Sequence, residues 1–165
     1  MMQPMIIRRA KPEDAPRLGE MGVALARRHH AWDPQRYLDL DGKAEGYGSW
    51  LAREAESKDA VVLVGEMDGE LAGYVYGRLE ERDWAALLDE HAALHDIWVE
   101  ASARRRGLGR ALAEALIAAF AELGAPRIVL HTAVQNEEAQ RLFAQLGWRR
   151  TMIEMTRERF HSQLA

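Results

Sequence analysis

The chain has 165 residues, with 22 Lys and Arg against 26 Asp and Glu, a formal net charge of -4. That balance belongs to an ordinary globular chain and argues against a nucleic-acid binder built on bulk positive charge. There is no cysteine, which excludes disulfides, thiolate metal sites and any mechanism that holds an acyl group on a thiol.

The short apolar run Met5 to Arg9 predicts a first strand. Pro12-Glu13-Asp14 opens a helix, since proline suits a first turn and acids its positive end. Leu18, Met21 and Leu25 keep helical spacing behind it. From His29 to Gly48 the pattern is irregular, and a second helix is expected over Ser49 to Ser57. Ala60 to Met67 is a β-branched strand, Asp68-Gly69 a tight hairpin turn, and Leu71 to Leu79 the returning strand. Residues 80–91 read as a loop or short helix, and Ala92 to Val99 as a strand. Leu108, Leu112, Leu116 and Phe120 recur every fourth residue and predict a helix over Arg106 to Leu123, stopped by Gly124. Arg127 to Thr132 is a strand, Glu137 to Leu146 a helix ended by Gly147, and Thr151 to Thr156 alternates like a last strand. A hairpin followed by strand–helix–strand–helix argues an α/β chain with a mixed sheet in one domain, residues 1–165.

The informative junction is Arg104-Arg105-Arg106-Gly107-Leu108-Gly109-Arg110, between a strand and a long helix. Glycine costs a helix about 1 kcal/mol relative to alanine, so two at its first turn suggest a local purpose. Free N–H groups and the helix dipole attract an anion there, and lack of Cβ atoms lets it approach closely. No GK[ST] follows, and Leu112 stands where a dinucleotide fingerprint needs its last glycine. The plain alternative is a basic helix start with loop glycines.

Arg104-x-x-Gly107-x-Gly109 resembles the acyl-CoA loop [QR]-x-x-G-x-[GA] of the GNAT superfamily of N-acetyltransferases. Ile97-Trp98-Val99 looks like the strand before that loop, and Asn136-x-x-Ala139-x-x-Leu142-Phe143-x-x-x-Gly147-Trp148 is similar to the second signature of the family. The resemblance runs from about Leu94 to Thr156. It implies a GNAT-like mixed, largely antiparallel central sheet, splayed between its two middle strands and flanked by helices. It implies acetyl-CoA as co-substrate and no metal. The pantetheine arm would enter the splay at Trp98, Val99 and Glu100, and the pyrophosphate would rest on amides from Arg104 through Arg110. Asn136 would bond the arm; as a helix N-cap it has a structural role as well.

Acyl transfer to an amine needs a base, an oxyanion donor and an answer for the leaving thiolate. The Val99 N–H is the candidate donor. The base candidates are Asp96 and Glu100, directly or through water. His95 and Asp96 are adjacent in a strand, so alternation sends them to opposite faces; Tyr74 and Tyr76 share one face of the neighbouring strand. His95 and His131 read more simply as hydrogen-bonded imidazoles. At the position where the family often has a tyrosine acid this chain has Phe143, which donates no proton. A thiol of pKa ~8.5 is a tolerable leaving group without one.

The His29–Gly48 segment is where the family usually builds its acceptor wall. Trp32, Tyr37 and Trp50 with Asp33, Asp39 and Asp41 would suit a cationic amine; the acceptor itself stays open. The rival readings are an acyl-CoA sensor of the same fold, favoured by Phe143, an enzyme for longer acyl groups, and a nucleic-acid contact through Arg104 to Arg110 and Arg149-Arg150. Acidic net charge argues against the last, so the expected partner is an amine-bearing acceptor, with no nucleic acid and no membrane. Family members often dimerise, and Ile153 to Phe160 is a candidate exchanged or edge strand. No apolar run nears the ~20 residues of a bilayer span, and Met1 to Arg9 lack a leader design; the expectation is a cytoplasmic protein.

Overall fold

The structure, a computed structural model, describes residues 4–159. Five strands form one sheet ordered as in the chain: Ile6–Arg9 (β1), Ala60–Met67 (β2), Glu70–Glu80 (β3), His91–Val99 (β4) and Ile128–Leu130 (β5). All neighbours are antiparallel except β4 and β5, which are parallel. The β2–β3 turn uses Asp68 and Gly69 at φ 54° and 83°, the two positive angles of a type I′ hairpin.

Helices cover both faces. Ala15–Trp32 (α1) and Ala44–Glu56 (α2) pack Leu18, Met21 and Leu51 on Val62, Val64, Tyr74 and Tyr76. Leu108–Glu122 (α3) packs its Leu108, Leu112, Leu116 and Phe120 stripe on Val61, Leu63 and Val75 of the opposite face, and Glu137–Gln145 (α4) adds Phe143. Burying each such side chain contributes roughly 1.5–3 kcal/mol. Sandwiching explains β2, whose successive valines alternate between two cores and leave no polar face.

The fold is the expected mixed, largely antiparallel α/β sheet flanked by helices. Three local expectations are corrected. First, the irregular segment is shorter: α1 runs through His29 to Trp32, and α2 starts at Ala44 rather than Ser49. Gly46 and Gly48 lower intrinsic helicity, yet Gly48 serves a crossing. A Cβ there would stand 1.9 Å from the Ala15 carbonyl oxygen, and one at Gly19 would stand 1.9 Å from that of Ala44. Tertiary packing overrides propensity.

Second, Thr151 to Thr156 forms no strand; residues 151–159 are exposed, with Met152, Ile153 and Met155 at 70%, 85% and 88%. Among the described residues, the parallel β4–β5 pair therefore lies at one end of the sheet. Of the candidate exchanged strand, Phe160 lies outside the described residues. Third, β4 carries a bulge. Tyr76 faces Asp96 but Gly77 faces Leu94, so His95 has no partner on β3. Among the described residues no helix is long and apolar enough to cross a membrane.

Candidate acyl-transfer site

The bulge sets the geometry of the site. Before it, the Ala92 N–H points to β5 and donates to the Arg127 carbonyl at 2.9 Å. After it, the Glu100 N–H points to β3 and donates to the Ala72 carbonyl at 2.8 Å. One extra residue has reversed the alternation, so the N–H and C=O groups of Ile97 and Val99 turn away from β3. β5 pairs with β4 only at Ala92, Ala93 and Leu94. Beyond Leu94 the two strands part, and Val99 presents its backbone to the gap. Its carbonyl accepts a bond there from Arg104 Nε at 3.0 Å.

The Arg104–Arg110 loop closes the far end of the gap. Arg105 and Gly107 adopt φ of 59° and 88°, a reversal that Gly107 makes without a Cβ penalty. Gly107 caps α3 with no side-chain cap bond, and the first helical bond runs from Ala111 N–H to its carbonyl. Helix geometry then leaves the Leu108, Gly109 and Arg110 N–H groups free for an anion. A Cβ on Gly109 would fall 3.6 Å from Val99 Cγ2 and 3.8 Å from Leu142 Cδ2. The glycine keeps room where β4, α3 and α4 meet. Arg106 is tied to Asp68 at 2.9 Å and Arg110 to Gln145 at 2.6 Å, whereas Arg105 extends from the exposed loop.

Asn136 caps α4, accepting the Ala139 N–H at 3.2 Å, so its structural role is present. Phe143 is buried and meets Trp148 edge to face at 5.5 Å. The Trp98 side chain lies on the other face of the sheet, with α1 and α2.

On that face stands Asp96. Its Oδ2 accepts the hydroxyls of Tyr47 and of Tyr74, the latter at 2.9 Å. Burial pushes its carboxyl above the usual carboxylate range, and the two tyrosine hydrogen bonds offset only part of that. The same bulge corrects the expectation that His95 and Asp96 face apart. The His95 ring stacks on Tyr76 at 5.4 Å, on the tyrosine face of β3, and its Nε2 meets Glu80 at 2.8 Å. Glu100 is ion-paired with Arg17 at 2.9 Å.

Tyr47 escaped the sequence reading because residues 44–48 gave no helical signal to place it. The acceptor-wall residues are divided. Trp32 and Tyr37 pack edgewise on His29, and Trp50 packs on Tyr47 and Tyr76. Asp33 and Asp39 bond nearby backbone amides, and Asp41 meets Arg27 at 3.3 Å. Exposed His131 follows the end of β5. Among the described residues, no group of three acids or histidines could hold a metal ion.

Residues 23–148, a span including the parted strand, the glycine loop and α4, match the acetyltransferase (GNAT) family. The chain belongs to the GNAT acetyltransferase family. No curated protein matches it in sequence. Among solved structures, its fold is similar to that of a tetramutant of the BH1408 protein from Bacillus halodurans, with TM-score 0.78, 20% identity, and 93% of this chain and 99% of that chain covered. It is also similar to AAC(6')-Iy in complex with a CoA bisubstrate analog, with TM-score 0.72, 17% identity, and 96% and 100% covered. A third is ribosomal-protein-alanine N-acetyltransferase from Brucella melitensis biovar Abortus 2308, with TM-score 0.69, 17% identity, and 96% and 100% covered. These identities speak for a shared fold. As a GNAT protein the chain is, at family level, an acyl-CoA-dependent acetyltransferase acting on amine-bearing acceptors.

Proposed function

We propose that this GNAT protein transfers acetyl from acetyl-CoA directly to a primary amine. The observation that carries the reading is the parting of β4 from β5 just where the bulge turns the Val99 N–H into the gap. The Trp98–Glu100 segment would receive the pantetheine arm, with Arg104 moving off the Val99 carbonyl. Asn136 and Phe143 would flank it from α4. The pyrophosphate would rest on the free amides of the Arg104–Arg110 loop.

The bound thioester supplies an activated acetyl group. The amine nitrogen forms a bond to the acetyl carbon, the carbon–sulfur bond breaks, and CoA leaves as thiolate. The Val99 N–H stabilises the charge that develops on the acetyl oxygen. Asp96 takes the amine proton, directly or through one water, helped by the raised basicity that burial gives it. Glu100, the second candidate, is partly neutralised by Arg17. Phe143 offers no acid, so the thiolate departs unprotonated.

The test is an amine panel with acetyl-CoA, following free thiol. At least one amine should give steady release, which a pure sensor would not. Gly109→Val should weaken acetyl-CoA binding at least tenfold in calorimetry, because its branches fill the room between Val99 and Leu142. Normal binding by that variant would place the cofactor elsewhere.

A further inference from the structure

Two guanidinium groups stand against one indole, the Trp98 ring on the α1–α2 face of the sheet. Arg28, from α1, has Cζ 5.9 Å from the Trp98 ring centroid and 5.2 Å from that of Trp32. Arg104 has Cζ 5.1 Å from the Trp98 ring. Both residues are half-buried. Among the described residues neither belongs to an ion pair; the Arg104 hydrogen bond goes to the neutral Val99 carbonyl, which the pantetheine arm would take over, leaving that guanidinium to seek another acceptor when the cofactor is bound. Arg17, Arg27, Arg36, Arg78 and Arg82 each meet a carboxylate instead. Glu100 is engaged by Arg17, and Glu138 acts on Arg104 without forming an ion pair. Burial, and then repulsion by Arg28, hold the Arg104 pKa below the usual guanidinium value. The Nε1 of the same Trp98 is a buried donor without a hydrogen-bond partner.

Two half-buried cations that repel each other and lack a carboxylate partner gain most from an anion that both can reach. That anion is not the pyrophosphate of the cofactor. Arg28 belongs to α1 and the Trp98 ring to the α1–α2 face, whereas the free loop amides cap α3 on the opposite face. Trp98 and Asp96 are two residues apart on the same face, so their Cα atoms lie about 6.7 Å apart at strand rise. An anion held beside the Trp98 ring and an amine at Asp96 would therefore lie on one face of the sheet, near enough for one small molecule to carry both.

We propose that the acceptor is a small zwitterion of the amino acid class, whose carboxylate is held by Arg28 and Arg104 while its amine faces Asp96. This deepens the acyl-transfer reading and rests on it. The carboxylate accepts the planar guanidinium forks, which suit two oxygens. Polyamines and aminoglycosides, rich in positive charge and lacking the carboxylate, meet repulsion at the same place.

The experiment compares a set of L-amino acids with their carboxamides as acceptors, and N-acetyl-amino acids with N-acetyl-carboxamides as ligands of the CoA-loaded chain. Acids should exceed amides at least tenfold in kcat/KM and in affinity. Arg28→Met keeps an unbranched stem over Trp32 and Trp98 and should reduce that acid-over-amide ratio roughly 10- to 100-fold, the range expected for one lost hydrogen bond to a charged group. Arg28→Lys should recover part of it. Equal use of amides, better use of polycations, or an unchanged ratio in Arg28→Met overturns the proposal. Should no acceptor turn over, the product-ligand affinities decide it alone. Failure of CoA itself to bind sinks the parent reading instead, so the two failures are distinct.

Discussion

Asp96 is the residue on which the proposed chemistry turns. Burial raises its pKa, and a base works only once deprotonated, so the acid limb of kcat/KM should lie above the ordinary aspartate value of about 3.9. Asp96→Asn should lower kcat by ~10²–10⁴ and remove that limb from the pH–rate profile, while Glu100→Gln leaves the limb in place. A limb that survives in Asp96→Asn would pass the role to another group. The carboxylate and its two tyrosine donors were only partly legible in the sequence. Alternation placed Tyr74 and Tyr76 together, but a bulge has no reliable sequence signal, so His95 and Asp96 were expected to face apart. Tyr47 depended on a helix that glycines concealed.

At the scale of elements, the strongly periodic pieces were readable. The Leu108-to-Phe120 stripe and the Asp68-Gly69 turn stand as expected, because burial and positive φ each leave a local mark. The α3 start lies two residues later than expected, since Arg105 and Gly107 leave helical space to form the loop. What could not be read is a contact between elements. Gly48 looks like a helix breaker until α1 is laid across it. Gly48→Ala should favour the isolated helix by about 1 kcal/mol yet destabilise the protein by roughly 1–3 kcal/mol or more, because backbone blocks the new methyl. Urea denaturation gives the sign; a more stable variant would mean that the two helices can slide apart cheaply. The tail is the converse case. Its alternation suggested a strand, but period alone does not supply a partner edge, and one of its side-chain contacts is the exposed Arg36–Glu154 pair.

For the molecule as a whole, one network joins the start of the chain to the sheet. Arg8 of β1 meets Asp14 at 2.8 Å and Glu66 of β2 at 2.7 Å, and Asp14 also accepts the Lys11 N–H at 2.7 Å. Burial alone would raise the Asp14 pKa, but the Arg8 hydrogen bonds and the Lys11 amide outweigh it and leave it depressed. Its contribution to stability is therefore present above the unfolded value of about 3.9 and is lost as pH falls through the lower folded value. Asp96 has the opposite sign: its contribution is full below about 3.9 and is lost as pH rises through the raised folded value. Asp14→Asn should cost about 3 kcal/mol at pH 7, as for a buried pair broken on one side, and less in acid. Urea midpoints at pH 7 and pH 3 measure both. An equal loss at the two pH values would assign the effect to shape and not to charge.

The bulge at His95 has a further consequence for how freely β4 can vary. The proposed ligand arm would be read there by N–H and C=O groups, which every residue but proline carries in full. Positions 97 and 99 can thus exchange one side chain for another, provided it packs against α3, without altering the message that the backbone delivers. Proline at 99 would silence it. An enzyme wired in this way can change its vocabulary along the strand while keeping its grammar, and that grammar is fixed by one unpaired residue just where the strands begin to part.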